Sequence, residues 1–258
     1  MGLRGLGHPL FAIGIAGLGV VSLVSGDFAY IWQPAPSWAA GQPVFAYASG
    51  ALMLVCGAGL LWRRTLPGTA VALAIYGLAS IVLIHTPRLV NDWKVEAEWF
   101  NLGEIATFIA GAWLLFAAAS TDSMLGGQRA VRSARVVFAL SLLAFGLSHF
   151  VYSKQTAAMV PPYLPEHLTW AYFTGAAHLA AGLGILFGIA PRLAATLEAL
   201  MLSIFDLTVN LPDLINKGAR AQWQWAELCI ATAIAGVAFL VAGSYLRDRW
   251  LAIQRPGT

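Results

Sequence analysis

Charged residues are scarce in this chain, and their scarcity excludes a body surrounded by water. Asp, Glu, Lys and Arg make up 10% of the 258 residues, whereas a soluble globular domain carries roughly 25%. Hydrophobic residues amount to 59%, and they come in long runs separated by short polar breaks. This pattern is typical of an integral membrane protein.

Other features are missing as well, and each absence argues against a class of function. The chain has two cysteines, Cys56 and Cys229, and no C-x-x-C pair, which argues against disulfide exchange and a cysteine-ligated metal. It has no nucleotide-binding loop and no G-x-S-x-G motif. No basic stripe interleaved with aromatics accompanies the net charge of +3, which argues against nucleic-acid binding.

The apolar runs predict eight transmembrane helices. They fall at 9–26, 43–62, 67–84, 101–119, 131–151, 168–189, 191–209 and 223–246. About 20 apolar residues cross the hydrocarbon core as a helix, and alternating ten-residue strands, the barrel signature, are absent from the sequence. The expected fold is therefore an all-α integral membrane protein.

Lys and Arg are divided unevenly between the two ends of these helices, and this division predicts the orientation. Ten lie on one side: Arg4, Arg63, Arg64, Arg129, Arg132, Arg135, Arg192, Arg247, Arg249 and Arg255. Five lie on the other side: Arg88, Lys94, Lys154, Lys217 and Arg220. Because cytoplasmic segments carry the excess of Lys and Arg, both termini are expected in the cytoplasm.

Tryptophan marks the opposite side, where the longer loops are expected. The Trp residues predicted at this outer interface are Trp32, Trp38, Trp93, Trp99, Trp170, Trp223 and Trp225. Such a band is the expected aromatic belt of a membrane protein.

The second half of the chain repeats the first. The stretch Phe-Ala-Tyr-Ala-Ser-Gly at 45–50 matches Trp-Ala-Tyr-Phe-Thr-Gly at 170–175, an offset of 125 residues. The same offset carries 87–91 onto 212–216 and 106–111 onto 231–236, while an offset of 122 aligns 28–30 with 150–152. The repeat predicts two parallel four-helix units, 1–120 and 135–258, joined by a cytoplasmic linker at 121–134.

The few ionisable residues inside apolar runs are the candidates for function, because a charge at a helix centre costs about 2.5–3.5 kcal/mol on membrane insertion. They are Glu104, His149, His178, Glu198, Asp206 and Glu227, with His85 and Asn210 at a boundary. Most lie in the second copy opposite apolar residues, as His178 corresponds to Met53 and Asp206 to Ile81. His149 corresponds to Asp27 in the 122-residue register.

This asymmetry predicts an outward-facing polar cavity in the second unit, between residues 149 and 227. His178, Asp206 and Glu227 are the predicted acid–base residues. The other predicted ligand-binding residues are His149, Tyr152, Tyr172, Ser203, Asn210, Glu104 and His85.

The carboxylates also have structural interpretations. Glu104 and Glu227 could cap helix starts, where the helix dipole favours a negative charge. Glu198 could pair with Arg192 on the inner side.

The histidines and Asp206 have structural interpretations too. His149 could be an interfacial ring, His178 a hydrogen-bonded packing residue, and Asp206 a partner of His178 or of a neighbouring hydroxyl. A metal site needs three or four converging ligands, and no H-x-x-H or E-x-x-H spacing supports one. A haem would need two facing histidines such as His85 and His149; neither a metal nor a haem is expected.

Several motifs resemble those of the DoxX/DoxD-like membrane family. In the second unit they are Met-Val-Pro-Pro-Tyr-Leu-Pro at 159–165, Tyr-Phe-Thr-Gly at 172–175, Gly-Leu-Gly at 182–184 and Pro-Arg-Leu-Ala-Ala at 191–195. Trp-Gln-Pro-Ala-Pro at 32–36 and Tyr-Ala-Ser-Gly at 47–50 look like a diverged copy.

The resemblance implies a four-helix bundle unit in a bacterial inner membrane. Some members of that family act with thiosulfate:quinone oxidoreductases, and others act in membrane complexes against oxidative stress. This chain departs from the family pattern as a fused double unit without a redox cysteine pair or a partner domain.

Two functions stay open from the sequence. In the first, the chain is a subunit of a quinone-linked redox complex whose outer cavity binds a quinone-like molecule beside a redox partner subunit. In the second, it is a non-catalytic scaffold or a small-molecule carrier. A parallel duplication permits a rocking transporter, although the inner half is nearly apolar apart from Glu198. Catalysis, the ligand and assembly as a homo-oligomer all stay open.

Overall fold

The computed structural model describes residues 5–28, 39, 42–120, 126–218 and 222–253. Within these ranges, eight helices are long and apolar enough to cross a membrane. They are α1 (Gly7–Ser25), α2 (Pro43–Leu60), α3 (Leu66–Asn91), α4 (Glu96–Ala119), α5 (Gly127–Val151), α6 (His167–Phe187), α7 (Pro191–Lys217) and α8 (Gln222–Ser244). The described residues contain no β-strand beyond one isolated bridge. The all-α prediction is confirmed, and the apolar helices indicate a multi-pass membrane protein.

Some helix bounds differ from the predicted runs. α3 and α7 continue to Asn91 and Lys217, well beyond the predicted ends at 84 and 209. α5 begins at Gly127, so 127–134 of the predicted linker are helical. A short helix, Ser153–Met159, follows α5.

Part of the predicted orientation and of the aromatic belt falls on residues outside the described ranges. These are Trp32, Trp38, Arg4, Arg220 and Arg255. The remaining belt residues are at least 39% exposed: Trp93, Trp99, Trp170, Trp223 and Trp225. Their exposure agrees with a position at the surface of the bundle.

α3 and α7 are extended by a widened turn. Each contains a five-residue π-helical segment, Ile81–His85 in α3 and Asp206–Asn210 in α7. A proline follows each segment at the second position, Pro87 and Pro212. Proline has no N–H and its ring clashes with the carbonyl four residues back. The π-helical turn, in which an amide bonds the carbonyl five residues back, accommodates the proline without ending the helix.

α4 and α8 lie at the centre of the bundle, and α3 and α7 lie at its edges. α1 packs on α2 and α8, α5 packs on α4 and α6, and α4 also contacts α8. The core contains Phe11 and Phe108, whose ring centroids lie 6.3 Å apart. Val82 and Leu207 are 64% and 66% exposed on the outer helices, as lipid-facing side chains are expected to be.

The close contact of α5 and α6 depends on glycine. A Cβ atom on Gly175 would lie 2.7 Å from the Cβ of His149, which is nearer than two carbon atoms can approach. A Cβ on Gly146 would lie 2.8 Å from the carbonyl oxygen of Gly175. Small residues at these positions let the two backbones approach, and they bring His149 against α6.

Candidate functional site

A buried acid–base pair joins α6 to α7. The Nδ1 atom of His178 lies 2.7 Å from Oε1 of Glu198. Both residues are 2% exposed, and Oε2 of Glu198 has no hydrogen-bond partner among the described residues. An ionisable pair this deep in an apolar helix bundle is costly, so it indicates a functional site.

The turn between α6 and α7 sets this pairing. Gly188 ends α6 with a left-handed φ of 67°, and Pro191 begins α7. His178 and Glu198 lie equally far from Gly188 along the chain, so antiparallel helices bring them to the same depth, about 15 Å from the turn at 1.5 Å per residue. The predicted site did not include Glu198. The equal spacing of His178 and Glu198 from Gly188 could have indicated that the two side chains meet.

His149 extends the pair across α5. Its Nδ1 atom lies 2.9 Å from Oγ1 of Thr174 and 3.3 Å from the carbonyl oxygen of Ala171. The rings of His149 and His178 meet edge to face, with centroids 5.0 Å apart. We call Thr174, His149, His178 and Glu198 the relay cluster; the interfacial-ring interpretation of His149 is replaced by these contacts within the bundle.

Aromatic rings surround the relay cluster. Phe145 and Phe205 each place a ring centroid 6.3 Å from the imidazole of His178. Phe100 of α4 packs on Phe145 at 5.2 Å. These rings keep the surroundings of the pair apolar, where each hydrogen bond is stronger than in water.

Asp206 belongs to a separate polar contact between α7 and α8. Its Oδ1 atom accepts a 2.9 Å hydrogen bond from Nδ2 of Asn210, and its Oδ2 atom accepts one of 2.9 Å from Oγ1 of Thr232. Of the alternatives for Asp206, the neighbouring hydroxyl is therefore confirmed. The carboxylate partner of His178 is Glu198, not Asp206.

Glu104 and Glu227 do not cap helix starts. The acidic residues in the first turn of α4 are Glu96 and Glu98, and the first turn of α8 has none. Glu104 is 4% exposed, and its carboxylate interacts electrostatically with that of Glu227. The capping interpretation was wrong for both residues, because they lie deeper in the bundle than the helix ends.

The predicted pairing of Glu198 with Arg192 was also wrong. The Arg192 guanidinium donates a 2.9 Å hydrogen bond to the carbonyl oxygen of Asp248. It also lies 4.0 Å from the ring centroid of Trp250. Arg192 therefore holds the chain that follows α8, and Glu198 is left to His178.

The other predicted ligand-binding residues do not converge on the relay cluster. Tyr172 is 41% exposed and stacks on Phe150 at 5.6 Å. The hydroxyl oxygen of Tyr152 accepts a 3.3 Å hydrogen bond from the amide of Ala97. Ser203 donates to the carbonyl oxygen of Ala199 at 2.8 Å, and His85 is buried in the π-helical segment of α3.

A cavity of about 530 Å³ lies away from the predicted site. It is lined by Trp93, Lys94, Glu96, Trp99, Leu140, Leu143, Ala144 and Leu147. None of the ligand-binding residues predicted from the sequence is among them.

Comparison with known proteins adds one similarity. Residues 138–243 are similar to a protein family described as a domain of unknown function, DUF8561. That stretch contains α6, α7 and most of α5 and α8, and with them the whole relay cluster. No curated protein and no solved structure matches the chain.

Proposed function

We propose that this chain is a DoxX-like inner-membrane protein of a bacterium that binds a quinone-like molecule and exchanges protons with it, as a subunit of a redox complex. The observation that carries the proposal is the buried pair of His178 and Glu198, with a hydrogen bond of 2.7 Å. An unpaired carboxylate oxygen beside it leaves one acceptor for a ligand hydroxyl.

The proposal includes a parallel duplication, which the two π-helical segments support. Ile81–His85 and Asp206–Asn210 are 125 residues apart, the same offset as the sequence repeat. The packing partners correspond as well, since α1 contacts α2 and α8 as α5 contacts α6 and α4. π-helical segments are rare, so a pair of them at matching positions is expected of two copies of one unit.

Glycine contacts support a different offset for the first helix of each unit. A Cβ on Gly50 would meet the Cβ of Ser22, and a Cβ on Gly175 would meet that of His149. The offset from Ser22 to His149 is 127, whereas the sequence had suggested 122. His149 then corresponds to Ser22 rather than to Asp27.

With that register, the ionisable residues of the relay cluster occur in the second unit alone. Where it has His149, His178 and Glu198, the first unit has Ser22, Met53 and Leu73 at the corresponding positions. Met53 and Leu73 are as buried as their counterparts. Two units of the same architecture therefore differ at the positions that could carry protons, which supports a specialised second unit.

The chemistry follows from the geometry of the pair. A hydrogen bond of 2.7 Å between Nδ1 and a carboxylate oxygen contains one proton, which either atom can hold. His178 and Glu198 can therefore donate or accept a proton without moving apart. His149 of α5 lies beside this pair, with its ring centroid 5.0 Å from that of His178, and it is hydrogen-bonded to Thr174 of α6.

A quinone takes up two electrons and two protons on reduction to the quinol. In the proposed role, a redox partner subunit supplies or removes the electrons, and the relay cluster supplies or removes the protons. Phe145 and Phe205 would keep bulk water away from the exchange.

The test uses the full-length protein in detergent with a short-chain quinone as the probe. Bound quinone is extracted from the purified protein and quantified, and thermal unfolding is followed with and without added probe. We expect bound quinone and a higher midpoint for the unmodified protein, and the loss of both in His178→Gln and Glu198→Gln.

Asp206→Asn is the matched control, because it alters a half-buried carboxylate of α7 outside the relay cluster. It should keep the quinone response. An unmodified protein that neither retains quinone nor responds to it would contradict the proposal and favour the scaffold function, in which the pair variants change stability alone.

A further inference from the structure

The 530 Å³ cavity lies on the far side of α5 from the relay cluster. Leu140, Leu143, Ala144 and Leu147 are spaced three and four residues apart and form one face of the helix. Phe145 and His149 point to the opposite face, where they contact His178. The cavity is therefore independent of the proposed proton exchange.

Its other wall carries two charges of opposite sign. Lys94 and Glu96 both line the cavity, and no ion pair joins them in the described part of the chain. The Lys94 ammonium lies 5.4 Å from the ring centroid of Trp93. Both charged residues thus line the same space, although the carboxylate oxygens of Glu96 are themselves shielded.

In the described part of the chain, the Glu96 carboxylate has no hydrogen-bond partner. Both of its carboxylate oxygens are shielded from solvent and have no hydrogen-bond partner among the described residues. Arg88, the cation of the preceding helix, is already held by Glu98 at 2.7 and 2.9 Å. A shielded carboxylate without a donor is destabilising, so a ligand that brings one would be favoured there.

We propose that this cavity binds a phosphatidylethanolamine molecule. The phosphate would pair with Lys94, and the primary ammonium would donate to Glu96 after a rotation of that side chain. Trp99, which also lines the cavity, would flank the ammonium, which the faces of indole rings attract. One acyl chain would lie along the leucine face of α5.

The three lipids differ in the groups that their head groups can place beside Lys94 and Glu96. Phosphatidylglycerol has a phosphate for Lys94 but no cation for Glu96. Phosphatidylcholine has a cation, but its quaternary ammonium has no N–H to donate to the carboxylate. Phosphatidylethanolamine alone of these three satisfies both residues.

Native mass spectrometry of the full-length protein with equimolar amounts of the three lipids tests the proposal. We expect the unmodified protein to retain one phosphatidylethanolamine about tenfold more than either competitor, the effect of one charge-assisted hydrogen bond. Glu96→Gln should remove the preference, and Lys94→Gln should lower the retention of all three lipids. Glu166→Gln and Lys154→Gln are matched controls outside the cavity and should behave as the unmodified protein.

Equal retention of the three lipids by the unmodified protein would overturn the proposal, as would an unchanged preference in Glu96→Gln. If Glu96→Gln does not fold, Leu140→Trp fills the cavity from the lipid-facing side of α5. Loss of the bound phosphatidylethanolamine in that variant would support the site, and its retention would overturn it.

Discussion

Nδ1 of His178 and Oε1 of Glu198 lie 2.7 Å apart across the contact between α6 and α7. The two side chains are 3% and 0% exposed, so neither has water to replace its partner. A buried pair of this kind is weak evidence for stability, but the removal of one member leaves the other in an apolar environment. This asymmetry gives a direct test of the contact.

The first prediction concerns the stability of the His178–Glu198 pair. His178→Leu and Glu198→Leu should each lower the free energy of unfolding by about 3–5 kcal/mol, because each leaves a buried polar partner alone. The double variant should cost much less than the sum of the two. Reversible unfolding in mixed micelles would measure the three changes, and additive costs would show that the two side chains do not interact.

The helices could be predicted from the hydrophobic runs, but two of their ends could not. The predicted runs end at 84 and 209, before Pro87 and Pro212, and proline usually ends a helix. The π-helical turns before them let α3 and α7 continue to Asn91 and Lys217. The hydrophobic pattern does not indicate such a turn. The turn changes which backbone carbonyl each amide bonds, and it does not require particular residue types.

The candidate site could be predicted in part. Rarity in an apolar run identified His178 and Asp206, yet their partners depend on which faces of the helices meet. The structural alternative for Glu198 was a pair with Arg192 on the inner side. The return of the chain at Asp248 and Trp250 towards α7 occupies that arginine, and no local pattern predicts this contact.

The second prediction compares an ion pair that has a buried carboxylate with an ion pair that is exposed. Arg88 holds Glu98 by two hydrogen bonds of 2.7 and 2.9 Å, with Glu98 6% exposed. Arg88→Lys should lower the free energy of unfolding by about 1 kcal/mol, because lysine cannot form the two-pronged contact.

The control is the exposed pair of Asp213 and Lys217, whose charged atoms lie 3.6 Å apart. Lys217→Gln should change stability by no more than about 0.5 kcal/mol, as exposed pairs of this spacing contribute little. Equal costs in urea unfolding of Arg88→Lys and Lys217→Gln would contradict the assigned role of the buried carboxylate.

The third prediction tests the proposed orientation, with both termini in the cytoplasm. In a background of Cys56→Ala and Cys229→Ala, single cysteines replace Arg64, after α2, and Lys154, after α5. A membrane-impermeant maleimide should label Lys154→Cys on intact cells and Arg64→Cys only after permeabilisation. The reverse pattern of labelling would show that the Lys and Arg distribution gives the wrong orientation.

The fourth prediction concerns the close contact of α1 and α2 at Gly57. A Cβ there would lie 2.5 Å from the amide nitrogen of Ala16 and 2.7 Å from the carbonyl oxygen of Ala12. Both are backbone atoms, so Gly57→Ala must push the helices apart and should cost about 1–3 kcal/mol of unfolding free energy.

Gly68→Ala is the matched control, because a Cβ at Gly68 would meet nothing within 4 Å. Alanine fixes the helical backbone better than glycine, so this variant should gain about 0.5–1 kcal/mol. Unfolding of both variants in the same micelles measures the difference. Because the helix-propensity gain is common to both, a Gly57→Ala protein as stable as Gly68→Ala would mean that α1 and α2 do not pack at the distance seen here.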